Sequence, residues 1–188
     1  MARALFHPTF GSRPERIVGR DAEIEAIVGA LDAPIGARDR CTLVLGQRGM
    51  GKTALLLEIE ERAEAHGFVV ARVSHNKAML DEIIELIQLH GGRFVEDRKR
   101  PVTGFSDGAL GFSFGLTFSE ETQRNFGFRT KLTLLCEKLE EAGKGVLILV
   151  DEAKTSENMR QLATTYQHLV GEERNIAICM AGLPHASS

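Results

Sequence analysis

Apolar positions along this chain follow two different rhythms, and they alternate. Residues 41–45 (Cys-Thr-Leu-Val-Leu), 68–73, 145–150 and 175–180 are short, nearly continuous apolar runs of the kind that become strands buried on both faces. Between them the spacing turns helical. Ala22, Ile24, Ala26, Ile27, Ala30 and Leu31 recur on one side of a predicted helix, with Glu23 and Glu25 on the polar side and Asp21 as the expected N-cap. Residues 52–66 predict a second helix ending before Gly67. Leu80, Ile83, Ile84 and Ile87 predict a third over residues 77–90, stopped by Gly91-Gly92. Residues 121–142 and 157–170 predict two more.

The stretch 93–119 breaks this pattern, with glycines, Pro101 and a charged patch followed by strict alternation. There Leu110, Phe112, Phe114, Leu116 and Phe118 interleave with Gly111, Ser113, Gly115 and Thr117, a period of two that predicts one strand of an inserted hairpin. Strands alternating with helices imply an α/β fold: a mainly parallel sheet with helices on both faces, in three layers, carrying that inserted β-hairpin. The whole of 1–188 is expected to be one domain, with 1–16 as an N-terminal lead and 93–119 as an insertion.

Composition narrows the function classes. A formal net charge of −3 gives no global pull toward nucleic acid. Cys41, Cys136 and Cys179 are an odd number, widely spaced in apolar surroundings, so they read as reduced core residues rather than a disulfide or metal framework. No window approaches the roughly 20 apolar residues of a membrane-spanning helix. A soluble, cytoplasmic protein with no membrane partner is expected.

One motif carries chemistry. Gly46-Gln47-Arg48-Gly49-Met50-Gly51-Lys52-Thr53 satisfies G-x-x-x-x-G-K-[ST], with a predicted strand before it and a predicted helix after it. Such a loop curls its backbone N–H groups around the phosphates of a nucleotide, and the start of the helix through Ala54 adds its dipole. Lys52 would reach the β/γ-phosphate oxygens and the Thr53 hydroxyl would ligate Mg²⁺. Arg48 has the length to approach phosphate, although the loop works through its backbone. Asp151 and Glu152 follow the apolar run Val146-Leu-Ile-Leu-Val at the end of a strand where open α/β sheets bind ligands. Asp151 is placed to hold Mg²⁺, directly or through a water, and Glu152 to polarise an attacking water.

With these residues the chain resembles the AAA+ ATPases, P-loop proteins of the additional-strand class. The strand over residues 68–73 is read as the one interposed between the P-loop strand and the acidic strand. Ile17-Val18-Gly19-Arg20-Asp21-Ala22-Glu23 resembles the GR-x-x-E box of origin-recognition-type initiators and related bacterial regulators. The resemblance implies adenine contacts from Ile17 and Val18; the alternative is a plain helix start. Ala177-Ile-Cys-Met-Ala181-Gly182-Leu183-Pro184 resembles the family's fourth strand and its exit. Two departures stand out: Cys179, Met180 and Ala181 include none of the family's usual polar sensor residues, and the sequence stops before a helical lid, so a core without its lid is expected.

The resemblance implies ATP with Mg²⁺ as ligand, and hydrolysis by water attack with Glu152 as base and Lys52 spreading charge, coupled to an attached domain or partner. The alternatives are a nucleotide switch that regulates a protein partner or transcription without turnover, and a DNA-associated initiator-type module. A homo-oligomer, and protein or DNA partners engaged through missing domains, are compatible with all three. Arg160 and Arg174 are candidate arginine fingers or, more simply, solvated arginines. The run 96–101 reads as a solvated loop or a nucleic-acid contact. His66, His75, His90 and His168 lack metal-ligand spacing.

Overall fold

The computed structural model describes residues 19–96, 112–114 and 116–184. Four strands form one parallel sheet: β1 (Cys41–Leu45), β2 (Phe68–Ser74), β5 (Gly145–Ala153) and β6 (Ile176–Gly182). Their order across the sheet is β1-β6-β5-β2. The strand lying between the P-loop strand and the acidic strand is therefore β6, not the 68–73 strand expected from the sequence. β2 pairs instead with the far side of β5, from Phe68↔Gly145 to Ser74↔Asp151.

Helices cover both faces. α1 (Asp21–Gly29) and α2 (Lys52–Ala65) bury Ile24, Ile27, Leu55, Leu56 and Ile59 against Val70, Leu147, Leu149, Ala177 and Cys179. On the opposite face α3 (Met79–Glu96), α5 (Phe128–Glu141) and α6 (Glu157–Gly171) pack over the alternate strand residues Val69, Ala71, Val73, Ile148, Val150 and Ile178. Period two on the strands thus splits one apolar set between two cores. Phe128, Leu132, Leu135, Cys136 and Leu139 show the matching helical stripe on α5. Fully burying each such side chain stabilises the fold by about 1.5–3 kcal/mol.

Several expectations need correction. β1 is not buried on both faces: it is an edge strand among the described residues. Val44 packs against the α1–α2 core, whereas Leu43 and Leu45 alternate outward and are 53% and 55% exposed. Cys41 is exposed, and only Cys136 and Cys179 are core residues. The N-cap of α1 is Arg20 rather than Asp21, and it makes no side-chain capping bond.

Gly91-Gly92 does not stop the third helix, which runs on to Glu96. Gly91 is there because space is short: a Cβ would lie 2.6 Å from Leu116 Cδ1 and 3.0 Å from Leu139 Cδ2. The predicted helix over 121–142 is two helices, α4 (Glu120–Asn125) and α5, broken where Phe126 turns extended at φ −103°, ψ 133°. Ser119 caps α4 by accepting from Thr122 N. The break lets Phe128 enter the core while Phe126 stays 43% exposed.

The alternating run supplies both strands of the hairpin, not one. β3 (Phe112–Phe114) pairs antiparallel with β4 (Thr117–Phe118). Leu116 and Phe118 enter the α3–α5 core, and Leu116 O accepts from Gln88 Nε2 at 2.8 Å. Leu110, Gly111, Gly115 and the charged run beyond Glu96 lie outside the described residues.

Candidate functional site

The carboxyl ends of β1, β6 and β5 meet at one rim. β1 ends at Leu45 and the chain enters the glycine loop, whose first N–H, from Gly46, donates to Gly182 O of β6 at 3.2 Å. Gly49 and Gly51 adopt left-handed backbone, φ +79° and +72°, which a side chain would strain. Gly51 is the N-cap of α2, so the helix begins with its unpaired N–H groups and its positive dipole end facing the loop. Lys52 folds back across this loop, its Nζ donating to Gly46 O at 2.5 Å and Gln47 O at 2.8 Å.

Thr53, the next residue, points its hydroxyl at the acidic strand and donates to Asp151 Oδ2 at 2.6 Å. Asp151 is 9% exposed, and its other oxygen, Oδ1, accepts from Glu152 N at 2.8 Å. Its backbone carbonyl accepts from His75 N at 2.9 Å, tying the end of β2 to the same point.

A bulge decides which way the acids face. β5 and β6 pair regularly up to Val150↔Met180, then resume at Ala153↔Gly182, so Asp151 and Glu152 together oppose Ala181. Glu152 takes φ +52°, left-handed for a non-glycine residue. Val150 packs on the α3–α5–α6 side, and so does Ala153. Unbroken alternation would put Glu152 on that side as well. The extra residue instead keeps both carboxylates on the α2 side, the re-aiming that bulges beside functional sites provide.

The result is a cavity of about 860 Å³. Arg48, Gly49, Gly51, Lys52, Thr53 and Ala54 line it from the loop and helix start. Asp151 and Glu152 line it from β5, and Gly182 and Leu183 from the exit of β6. Leu57, Glu60 and Glu64 extend it along the flank of α2, where Glu60 is held by Arg72 at 2.6 Å. Gly46 and Gln47 contribute through the carbonyls that receive Lys52, while Met50 is an exposed side chain on the outer loop. Ile17 and Val18 lie outside the described residues.

Other candidates fall elsewhere. Arg174 sits at the amino end of β6 and is locked between Glu137 at 2.5 Å and Glu140 at 3.2 Å. That end of the strand is about 20 Å from the loop rim. Arg160, in the first turn of α6, is exposed and pairs with Glu157 at 3.2 Å. Three of the histidines have local partners, His66 with Asp32, His75 with Ser156 and His90 with Val70 O, and His168 lies in the last turn of α6. No cluster of metal-ligating side chains occurs among the described residues. Nor is any described helix long and apolar enough to cross a membrane. Lys154 also lines the cavity, and neither sequence motif includes it. Its only signal in the sequence is its place two residues beyond Glu152, which becomes informative once the bulge is known.

A glycine loop joining a parallel strand to a helix, with an acid-tipped strand one position removed in the sheet, defines a P-loop nucleotide-binding fold of the additional-strand type. The chain belongs to the AAA ATPase domain family, whose sequence profile matches residues 16–172. Among solved structures it is similar to Cdc6p from Pyrobaculum aerophilum, with a TM-score of 0.58 and 17% identity over 94% of this chain. It is also similar to the ORC2 protein from Aeropyrum pernix, solved as ADPNP and ADP complexes, with a TM-score of 0.57 and 18% identity over 93% of this chain. The chain spans 42% and 44% of those two proteins, so the likeness is one of fold. No curated protein matches it.

Proposed function

We propose that this chain binds ATP with Mg²⁺ in the rim cavity and hydrolyses it, coupling the nucleotide state to an attached domain or partner. The observation that carries the reading is the 2.6 Å contact between the Thr53 hydroxyl and Asp151 Oδ2, which brings the P-loop and the acidic strand to one point. The donors there are a hydroxyl and a carboxylate, hard oxygens that suit Mg²⁺ and include no sulfur or nitrogen. Thr53 and Asp151 would hold the ion. Bound there, Mg²⁺ would neutralise phosphate charge and orient the β- and γ-phosphates.

The chain's own groups account for the rest. The N–H groups of the loop and of the α2 start cradle phosphate oxygens. Lys52 leaves the loop carbonyls for the phosphates. Glu152 accepts a proton from a water whose oxygen attacks the γ-phosphorus, and ADP departs with the bridging oxygen. Its positive φ is consistent with a side chain aimed at the phosphates at some cost to its backbone.

One observation favours a second reading. The carboxyl end of β6 presents Cys179, Met180 and Ala181, with no polar side chain to order the water, which suits a nucleotide switch with slow turnover. Titration calorimetry with ATP, with and without Mg²⁺, separates these ideas when phosphate release is followed in the same samples. The chain should bind Mg-ATP and Lys52→Ala should not. Glu152→Gln should keep binding while release falls about 100-fold or more, the usual contribution of a general base. Binding without release in the unaltered chain would favour the switch. Binding unaffected by Lys52→Ala would refute the site itself.

A further inference from the structure

The bulge that turns Glu152 toward the P-loop has a consequence for the residues after it. Asp151 and Glu152 both face the α2 side and Ala153 returns to the α3–α5–α6 side. Alternation resumed from there brings residue 154 back to the α2 side. Lys154 does line the cavity, together with Lys52, Thr53 and Glu152. Without the extra residue it would have faced the opposite core, where an ammonium group has no place.

The cavity's charges give this position meaning. A nucleoside triphosphate brings about four negative charges at neutral pH, and a buried or half-enclosed anion needs matching cations. Among the described residues, three cationic side chains line the cavity: Arg48, Lys52 and Lys154. Arg48 sits on the loop, and Lys52 lies against the loop carbonyls at the β1 end. Lys154 comes from the opposite wall, beyond Glu152, and forms no ion pair with another described residue. β6, which runs between those two walls, ends in Cys179, Met180, Ala181 and Gly182, none of which carries a side chain able to donate strongly to a phosphate.

We infer that Lys154 is a further nucleotide-contacting residue, one that reads the terminal phosphate from the β5 side and supplies the cationic donor that β6 lacks. It rests on the ATP reading given above. A lysine suits this position because it is a compact point charge on a flexible stem, able to reach a phosphate oxygen without fixed geometry. Set on the wall opposite the glycine loop, beyond Glu152, Lys154 would touch the terminal phosphate that ATP has and ADP lacks.

Calorimetric titration of Mg-ATP and Mg-ADP into the unaltered chain, Lys154→Ala, Lys154→Arg and Lys52→Ala tests this. Lys154→Ala should weaken ATP binding about tenfold or more, the scale of one charge-assisted hydrogen bond, while ADP binding changes less than about threefold. Lys154→Arg should restore most of the loss, and Lys52→Ala should lose both nucleotides. Equal weakening of ATP and ADP, or no change in either, overturns the inference while leaving the ATP site intact. Failure of the unaltered chain to bind either nucleotide overturns both readings together. Lys154 is exposed, so a thermal melt of Lys154→Ala should match that of the unaltered chain and exclude misfolding as the cause.

Discussion

The two glycines in the middle of α3 should respond to alanine with opposite signs. In an exposed helix interior, Gly→Ala stabilises by about 0.5–1 kcal/mol, through reduced backbone entropy in the unfolded chain. Gly92 is half-buried, yet a Cβ there would touch nothing within 4 Å, so the same gain applies. At Gly91 it does not. Its Cβ would sit 2.6 Å from Leu116 Cδ1 and 3.0 Å from Leu139 Cδ2, where ordinary contact is 3.4–4 Å. Leu116 and Leu139 are 1% and 0% exposed, so neither methyl can swing into open space. Overpacking of this kind costs about 1–3 kcal/mol. Set against the same propensity gain, Gly91→Ala should be destabilising by about 1 kcal/mol, and the two variants should differ by about 2 kcal/mol. Equilibrium urea unfolding measures this directly, as displacement of the midpoint with an unchanged slope. Equal stabilisation by both substitutions would mean that α3, the hairpin turn at Leu116 and α5 are not packed as described, and that Gly91 is only a tolerated defect.

Other outcomes follow from the site and its surroundings. Thr53→Val should remove most Mg²⁺ dependence from ATP binding; it also leaves Asp151 Oδ2 without its hydroxyl partner, costing about 1–3 kcal/mol of stability in the nucleotide-free chain by urea unfolding. Arg174→Ala frees Glu137 and Glu140 of a half-buried partner and should lower stability by about 1 kcal/mol without altering phosphate release; loss of release on mixing with unaltered chain would revive Arg174 as an arginine finger. Stability should also fall in strong alkali. Burial pushes the Cys179 thiol from an ordinary value of 9.0 up to about 12, and raises Cys136 as well. The folded state therefore keeps protons that the unfolded chain releases, so this contribution is intact below pH 9 and is lost between about pH 9 and 12, at up to about 1.4 kcal/mol per pH unit for each thiol. Cys179→Ala should show a shallower decline over that window, and an unchanged slope would contradict the burial argument.

The strand-loop-helix geometry around residues 46–53 was legible because its requirements are local: left-handed glycines and a helix start adjacent in sequence. The helical stripes on α1 and α3 and the burial of β2 and β5 on both faces were legible for the same reason, since period alone encodes them. What escaped depends on contacts distant in sequence. Gly91 reads as a stop signal until Leu116 and Leu139 occupy the space beside it. Cys41, Leu43 and Leu45 read as interior until β1 takes the edge of the sheet. The placing of 68–73 between the P-loop and acidic strands failed because sequence order does not state sheet order. The crossover after β1 skips two positions that β6 and β5 later fill. Phe126-Gly127 breaks one predicted helix because burial of Phe128 outweighs continuity of the backbone ladder.

The same distinction explains why the acidic pair was found while its orientation was not. An Asp-Glu dipeptide after an apolar strand says nothing about which face Glu152 takes, since strict alternation would place the two carboxylates on opposite faces. The bulge that unites them needs a partner strand able to come close, and Gly182 is that partner. A Cβ at Gly182 would lie 2.9 Å from Ala153 O, so any side chain there would push β5 away just where its pairing resumes. Gly182 O also receives the N–H of Gly46, the first residue of the loop. One glycine at the end of β6 therefore sets the distance between the wall that carries Lys52 and Thr53 and the wall that carries Asp151, Glu152 and Lys154. The Thr53–Asp151 contact follows from that spacing and not from the loop alone, which is why the strand between the two motifs, lacking any polar side chain of its own at this end, still governs what they can do together.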